Sequence, residues 1–464
     1  MPGALKSSRA FLGSALHTPT RGQVELLNDV LIEADSTGVI SGVHRNDSSQ
    51  TATLAARHRA AGSLVVLEKG QYLLPGLVDL HVHAPQWPQL GLALDLPLED
   101  WLQAHTFPLE ARYADIEYAK AIYESLVAGL LANGTTTAMY FATIHLGATQ
   151  ILADICLRRS QRALIGRVAM DDPKQCPPFY RDPSAGIAEA ETRSFINYVR
   201  SMAGNENALI LPVITPRFIP ACSDELLMGL GRLARETACH VQTHCSESDW
   251  EHGYVLARCG MTDTAALQEF GLLSRRTILA HGNFIDDADV ATLLTSGSGI
   301  AHCPLSNVYF SDAVFQLQRM LTRGVHVGLG TDIAGGASPS ILENARHAVI
   351  ASRALESGVN PTLRREQRRS PGSRIDAATA FWLATAGGGI ALDLPIGLFR
   401  EGYQFDAIVL DGQLPGSNLR LEDATPSEKL QKIVYHATRA DIREVWVANR
   451  PVHTRPQAAP LMAT

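Results

Sequence analysis

The sequence predicts an α/β protein: a (β/α)8 TIM-like barrel with a small composite β-domain formed by both termini. Three observations carry this. Between residue 73 and about residue 355, eight short apolar runs alternate with amphipathic stretches. That is the pattern of parallel strands joined by helical crossovers, and eight strands close such a sheet. Polar residues suited to chemistry stand at or just past the ends of those runs, where barrels of this kind carry reactive groups. Both flanks hold β-like pieces with too little apolar sequence to fold alone.

In chain order the expected strands are 74–83, 135–141, 163–170, 208–215, 240–244, 277–281, 299–303 and 325–331. Helix-like segments between them include 115–131, 223–236 and 286–294, and 340–355 follows the last strand. The first flank carries β-like pieces at 24–27, 39–43 and 63–68, and the second at 406–410 and 445–448. The expected organisation is therefore a composite β-domain from 1–72 plus 403–453, a barrel over 73–402 and a tail at 454–464, with disorder after Pro451. The basic stretch 364–374 reads as a solvated loop or helix end.

At 464 residues the length prior gives roughly three domains, yet an α/β barrel can use most of that as one. A hydrophobic content of 46% with 19% charged residues is ordinary for a well-buried globular chain. The net charge of −7 offers no general attraction to nucleic acid or to an anionic membrane. The seven cysteines are scattered, without a Cys-x-x-Cys pair, so neither a disulfide framework nor a thiolate zinc module is expected. Residues 1–20 lack the apolar core of a secretory signal, and no apolar run reaches the roughly 20 residues that span a bilayer. A reduced, cytoplasmic protein is the expectation.

The chemistry begins at His81-Val82-His83, directly after the run Leu73-Leu74-Pro75-Gly76-Leu77-Val78-Asp79-Leu80. Alternate residues of a strand face one side, so both imidazoles project together. A chance His-x-His is not rare among 16 histidines. His244 and Asp332, each at the end of another apolar run, make a metal site the better reading. Three imidazoles and a carboxylate suit zinc or iron with a water position left open. Zinc lowers the pKa of such a water toward about 7. Glu247, three residues past His244, fits a proton shuttle, against the alternative of an exposed acid in a helix's first turn. His281 ends its run and either polarises a substrate or is a structural core histidine. Asp79 faces the same way as His81 and fits a supporting role. Gly328-Leu329-Gly330 lacks the third glycine of a dinucleotide loop, and no Gly-x-Ser-x-Gly elbow occurs.

Residues 75–83 (Pro-Gly-Leu-Val-Asp-Leu-His-Val-His), then Thr243-His244, His281-Gly282 and Gly330-Thr331-Asp332, resemble the amidohydrolase superfamily over nearly the whole chain. The resemblance implies the barrel, the composite β-domain and at least one divalent metal. Binuclear members bridge two metals with a carboxylated lysine at the end of the fourth strand, where this chain has Thr215-Pro216-Arg217-Phe218. The mononuclear deaminase branch is therefore favoured, with one Zn2+ per chain (Fe2+ the alternative) on His81, His83, His244 and Asp332.

Within that branch His83-Ala84-Pro85-Gln86, Arg217-Phe218, Ser246-Glu247 and 331–336 most resemble the guanine deaminase family. This implies that Gln86 and Arg217 hold a small purine. Arginine can donate to its acceptors and glutamine can both donate and accept, while Phe218 can stack on the ring. Glu247 and His281 would also contact the substrate. Asp332 would take a proton from the attacking water, Glu247 would protonate the ring nitrogen, and His281 would stabilise the tetrahedral adduct. The chain departs from the family at 302–310, with Leu305 where a polar residue is expected and then Tyr309-Phe310. A pterin, 8-oxoguanine or a chlorotriazine is the alternative substrate. A non-catalytic relative is the rival from another class, and a homodimer is the expected assembly.

Overall fold

The computed structural model describes residues 8–45, 49–311 and 313–455. Eight parallel strands form the barrel in chain order: β1 (Leu77–His83), β2 (Thr135–Phe141), β3 (Arg162–Ala169), β4 (Ile210–Pro216), β5 (His240–Cys245), β6 (Thr277–His281), β7 (Gly299–His302) and β8 (His326–Leu329). Nearly every residue in them is buried, as expected for a parallel sheet covered by helices on its outside. At the top, the amide of Asp332 donates to the His81 carbonyl at 2.8 Å and that of His83 to the Ile333 carbonyl at 3.0 Å, bringing the last strand's end against the first. Lower down, Gly328 permits this approach, because a Cβ there would lie 2.5 Å from Leu80.

The helices begin where the sequence placed their starts. Asp115, Ser223, Asp286 and Ser340 each cap a helix through the side chain, accepting backbone N–H groups of the first turn. The last of these helices, Ile341–Ser357, packs against the helix Pro426–His436 from the second flank.

A second sheet joins the two flanks. Its order is Arg450–Thr454, Ile442–Val447, Ala407–Asp411, Gln71–Pro75, Arg9–His17, Glu25–Ala34 and Ile40–His44, with Leu64–Val66 pairing beside Arg9–His17. The seam is the antiparallel pair of Gln71–Pro75 with Ala407–Asp411, so neither flank completes the sheet without the other. From β3, Arg162 reaches this sheet and pairs with buried Asp406 at 2.9 and 3.2 Å. Among the described residues, no helix is long and apolar enough to cross a membrane.

Three expectations need correction. The predicted strand 74–83 is two strands: Gln71–Pro75 belongs to the terminal sheet and Leu77–His83 to the barrel. Gly76 makes the crossing, where a Cβ would meet the Thr136 hydroxyl at 2.1 Å. The strand Arg9–His17 and the helices Ser49–Ala60 and Pro426–His436 were not expected. The chain also stays in the sheet through Thr454, past Pro451, while the expected tail from 456 onward lies outside the described residues.

Candidate active site

His81 and His83 project from the upper end of β1, and His244, His281 and Asp332 converge on them from β5, β6 and the turn after β8. His83 Nε2 lies 3.0 Å from His244 Nε2. Asp332 Oδ1 lies 3.0 Å from His81 Nε2 and 3.5 Å from His83 Nε2. Three overlapping sets have all their donor atoms within 4.8 Å: His81/His83/Asp332, His81/His244/His281 and Glu247/His281/Asp332.

The donor chemistry fits a cation. His244 Nδ1 stands 2.6 Å from the Arg217 carbonyl, an acceptor only, so the proton sits on Nδ1 and Nε2 turns a lone pair inward. Across the site, His281 Nε2 is buried without a hydrogen-bond partner, as is His83 Nδ1, while His81 Nε2 faces Asp332 Oδ1 at 3.0 Å. Burial, then the neighbouring imidazoles, pushes His83 and His244 well below the ordinary histidine pKa. Both are neutral lone-pair donors at pH 7. Burial alone would raise Asp332, but His81, His281 and His83 outweigh it and hold the carboxylate ionised.

Supporting groups fix this geometry. Asp79 accepts from the Thr331 hydroxyl at 2.6 Å, the Thr331 amide at 2.9 Å and the His81 amide at 3.2 Å, tying the first strand to the last directly below the site. Burial lifts its carboxyl to about 7 against those hydrogen bonds. His281 Nδ1 is 2.9 Å from Asn307 Oδ1, which turns Nε2 toward Glu247 Oε1 (3.6 Å) and Asp332 Oδ2 (3.9 Å). Ser246, His281 and Asp332 have φ of 49°, 74° and 50°, left-handed values uncommon for residues with a side chain. Three such positions around one centre are local strain held by the surrounding structure.

Glu247 is not the exposed helix acid of the alternative reading. It is buried, at the turn after β5, and burial raises its carboxyl to about 7. Its amide donates to Glu251 Oε2 at 2.7 Å, and its carbonyl accepts from Asn283 at 2.9 Å. The amide of Ser246 donates to buried Asp263 at 3.1 Å.

Above the donor cluster, a cavity is lined by Gln86, Arg217, Phe218, Glu247 and Asp332, among others. Leu98, Trp101, Leu102 and Phe310 close its apolar side. The Trp101 and Phe310 rings stand 5.0 Å apart, so the departing segment 302–310 enters the wall as the helix Pro304–Phe310. Its Val308 and Tyr309 face outward. All the site residues expected from the sequence therefore meet at one place. The sequence reading missed Glu110, fully buried behind Gln86 and Arg217, along with Glu251, Asp263, Asn283 and Asn307. Asn283 and Asn307 had a signal, each standing a few positions past an apolar run.

Comparison with known proteins gives the same picture. The sequence profile described as the amidohydrolase family matches residues 72–452. Guanine deaminase of Dictyostelium discoideum is 33% identical over 466 residues, covering 97% of this chain and 100% of the relative. Human guanine deaminase is 34% identical over 453 residues, covering 95% and 96%. The crystal structure of guanine deaminase from C. acetobutylicum with bound guanine superposes with a TM-score of 0.86 at 28% identity, covering 96% of this chain and all of that one. With the profile spanning both the barrel and the seam of the terminal sheet, the chain belongs to the amidohydrolase family.

Proposed function

We propose that the chain hydrolyses guanine to xanthine and ammonia, with one divalent ion held by His81, His83, His244 and Asp332. Neutral imidazoles with a carboxylate favour zinc, with ferrous iron the second choice. The observation that carries the reading is a single cavity lined both by Gln86 and Arg217 and by His83, His244 and Asp332 of the histidine–carboxylate cluster. The similarity to guanine deaminases along the full chain supports the choice of ring.

A divalent ion at this position would acidify a water enough to supply hydroxide near neutral pH. The protein's own groups do the rest. Arg217 and Gln86 hold the ring through its carbonyl oxygen and ring nitrogen, and Phe218 packs beside it. Asp332, kept ionised, accepts a proton from the attacking water. Glu247, with a carboxyl near 7, exists in both protonation states at neutral pH, which suits a group that must donate and then recover a proton. It protonates the ring nitrogen next to the attacked carbon and then the departing amine. His281, whose Nδ1 donates to Asn307 Oδ1, turns an Nε2 lone pair to the centre and accepts from the hydroxyl of the tetrahedral adduct.

The test is ammonia release by metal-replete protein on guanine, beside adenine, 8-oxoguanine and isoxanthopterin, with chloride release from a chlorotriazine. Turnover of guanine far above the others is the expected result. Activity confined to another ring would discard guanine.

A further inference from the structure

Glu110 touches neither the donor cluster nor the cavity, yet it is wholly buried and engages both side chains proposed to hold the ring. Its carboxylate accepts from Arg217 Nη1 at 2.7 Å and Nη2 at 3.2 Å, a two-pronged pair, and from Gln86 Nε2 at 2.8 Å. The segment Phe107–Ala111 that carries it also sets the Phe107 ring 5.0 Å from the Arg217 guanidinium. One short helix thus clamps the arginine by edge and by face.

We infer that Glu110 is a positioning residue that sets substrate choice by turning this wall of the cavity into hydrogen-bond donors only. The inference rests on the reaction proposed above. A carboxylate only accepts and a backbone amide only donates. Gln86 sits between the two, with Nε2 on Glu110 and Oε1 receiving the Ala334 amide at 3.0 Å. Its amide orientation is therefore fixed by chemistry, and one N–H is left over on a side chain that lines the cavity. Arg217 has one edge committed to Glu110, and its remaining N–H groups are also donors. A ring with a carbonyl oxygen and a bare ring nitrogen at this edge satisfies such a wall. A ring with an amine at the carbonyl's place sets donor against donor, and one with hydrogen there leaves buried donors unpaired, the costly case for a polar site.

The experiment is steady-state ammonia release on guanine and 2-aminopurine, which lacks the carbonyl oxygen, by wild type, Glu110→Gln, Arg217→Met and the double variant. Melting and bound metal are measured for each. Glutamine at 110 keeps the shape but turns an NH2 toward Arg217 or Gln86. We expect KM for guanine to rise about 10- to 100-fold, the weight of a hydrogen bond to a charged group, with kcat changing far less. The preference for guanine over 2-aminopurine should shrink by a similar factor. In the Arg217→Met background the same substitution should change KM by only about threefold or less, because most of its effect passes through the arginine.

An equal effect in both backgrounds, or a fall in kcat with preference intact, would overturn the inference. If Glu110→Gln does not fold, Glu110→Met with Arg217→Met leaves no unpaired buried charge. Retained guanine preference in that pair would overturn it equally. Wild-type protein silent on guanine would instead overturn the proposed function, and the inference with it. An active wild type with indifferent variants would sink the inference alone.

Discussion

Replacing Glu247 by glutamine isolates its proton chemistry from its place in the fold. The side chain keeps its size, and the backbone is held independently: its N–H by Glu251 at 2.7 Å and its C=O by Asn283 at 2.9 Å. Glutamine cannot carry the proton. A positioned acid–base group contributes about 10²- to 10⁴-fold, or roughly 3–5 kcal/mol of barrier. The loss should lie toward the upper end, because the proposed mechanism calls on this one carboxyl for both ring protonation and amine departure. Its pKa is raised chiefly by burial, to about 7. The donor form is therefore present below that value and lost as pH rises through it, giving wild type an alkaline limb that Glu247→Gln should lack. The assay is initial-rate xanthine formation across pH, with bound metal measured by atomic absorption. A variant with full metal and more than about a tenth of wild-type kcat would refute the assignment.

Three further outcomes follow from other parts of the molecule. His83→Ala or His244→Ala should abolish stoichiometric metal binding, read directly as metal per chain, while the fold persists by circular dichroism. Arg162→Met strands buried Asp406 at the join between barrel and terminal sheet and should cost about 3–5 kcal/mol in denaturant unfolding; Asp406→Leu added to it should recover part of the loss. Glu251 has its pKa raised well above the ordinary value by burial, then by Asp263 and Glu247. The folded state thus binds a proton the unfolded chain releases, and its contribution is present at low pH and lost as pH rises through the folded pKa. Glu251→Gln should accordingly gain stability relative to wild type as pH goes from about 5 to about 9.

The proposed metal ligands were legible because a barrel puts reactive groups where apolar strands end, and His81, His83, His244 and Asp332 each close such a run. Glu110 was not. It sits in a helical stretch among polar and apolar neighbours, where an acid ordinarily faces water. Only the fold brings it against Arg217, 107 positions later. Glu251 and Asp263 were hidden for the same reason, as helix acids turned inward on the Ser246–Glu247 turn. The left-handed backbone at His281 and Asp332 left no mark, since neither residue type is the glycine that usually announces it. In the terminal sheet, Arg9–His17 escaped notice because Gly13 and Ser14 interrupt its apolar alternation, at a register shift in the pairing with Glu25–Ala34. The join at Gly76 was read as continuous strand because both sides are equally apolar.

The central claim is a metal-dependent hydrolysis of guanine at the His81–His83–His244–Asp332 centre. The most direct measurement is xanthine formation from guanine by purified protein before chelation, after chelation and after zinc is returned. Turnover that disappears with the metal and recovers near one ion per chain is the predicted result. Guanine left intact by protein with its metal bound would contradict the account.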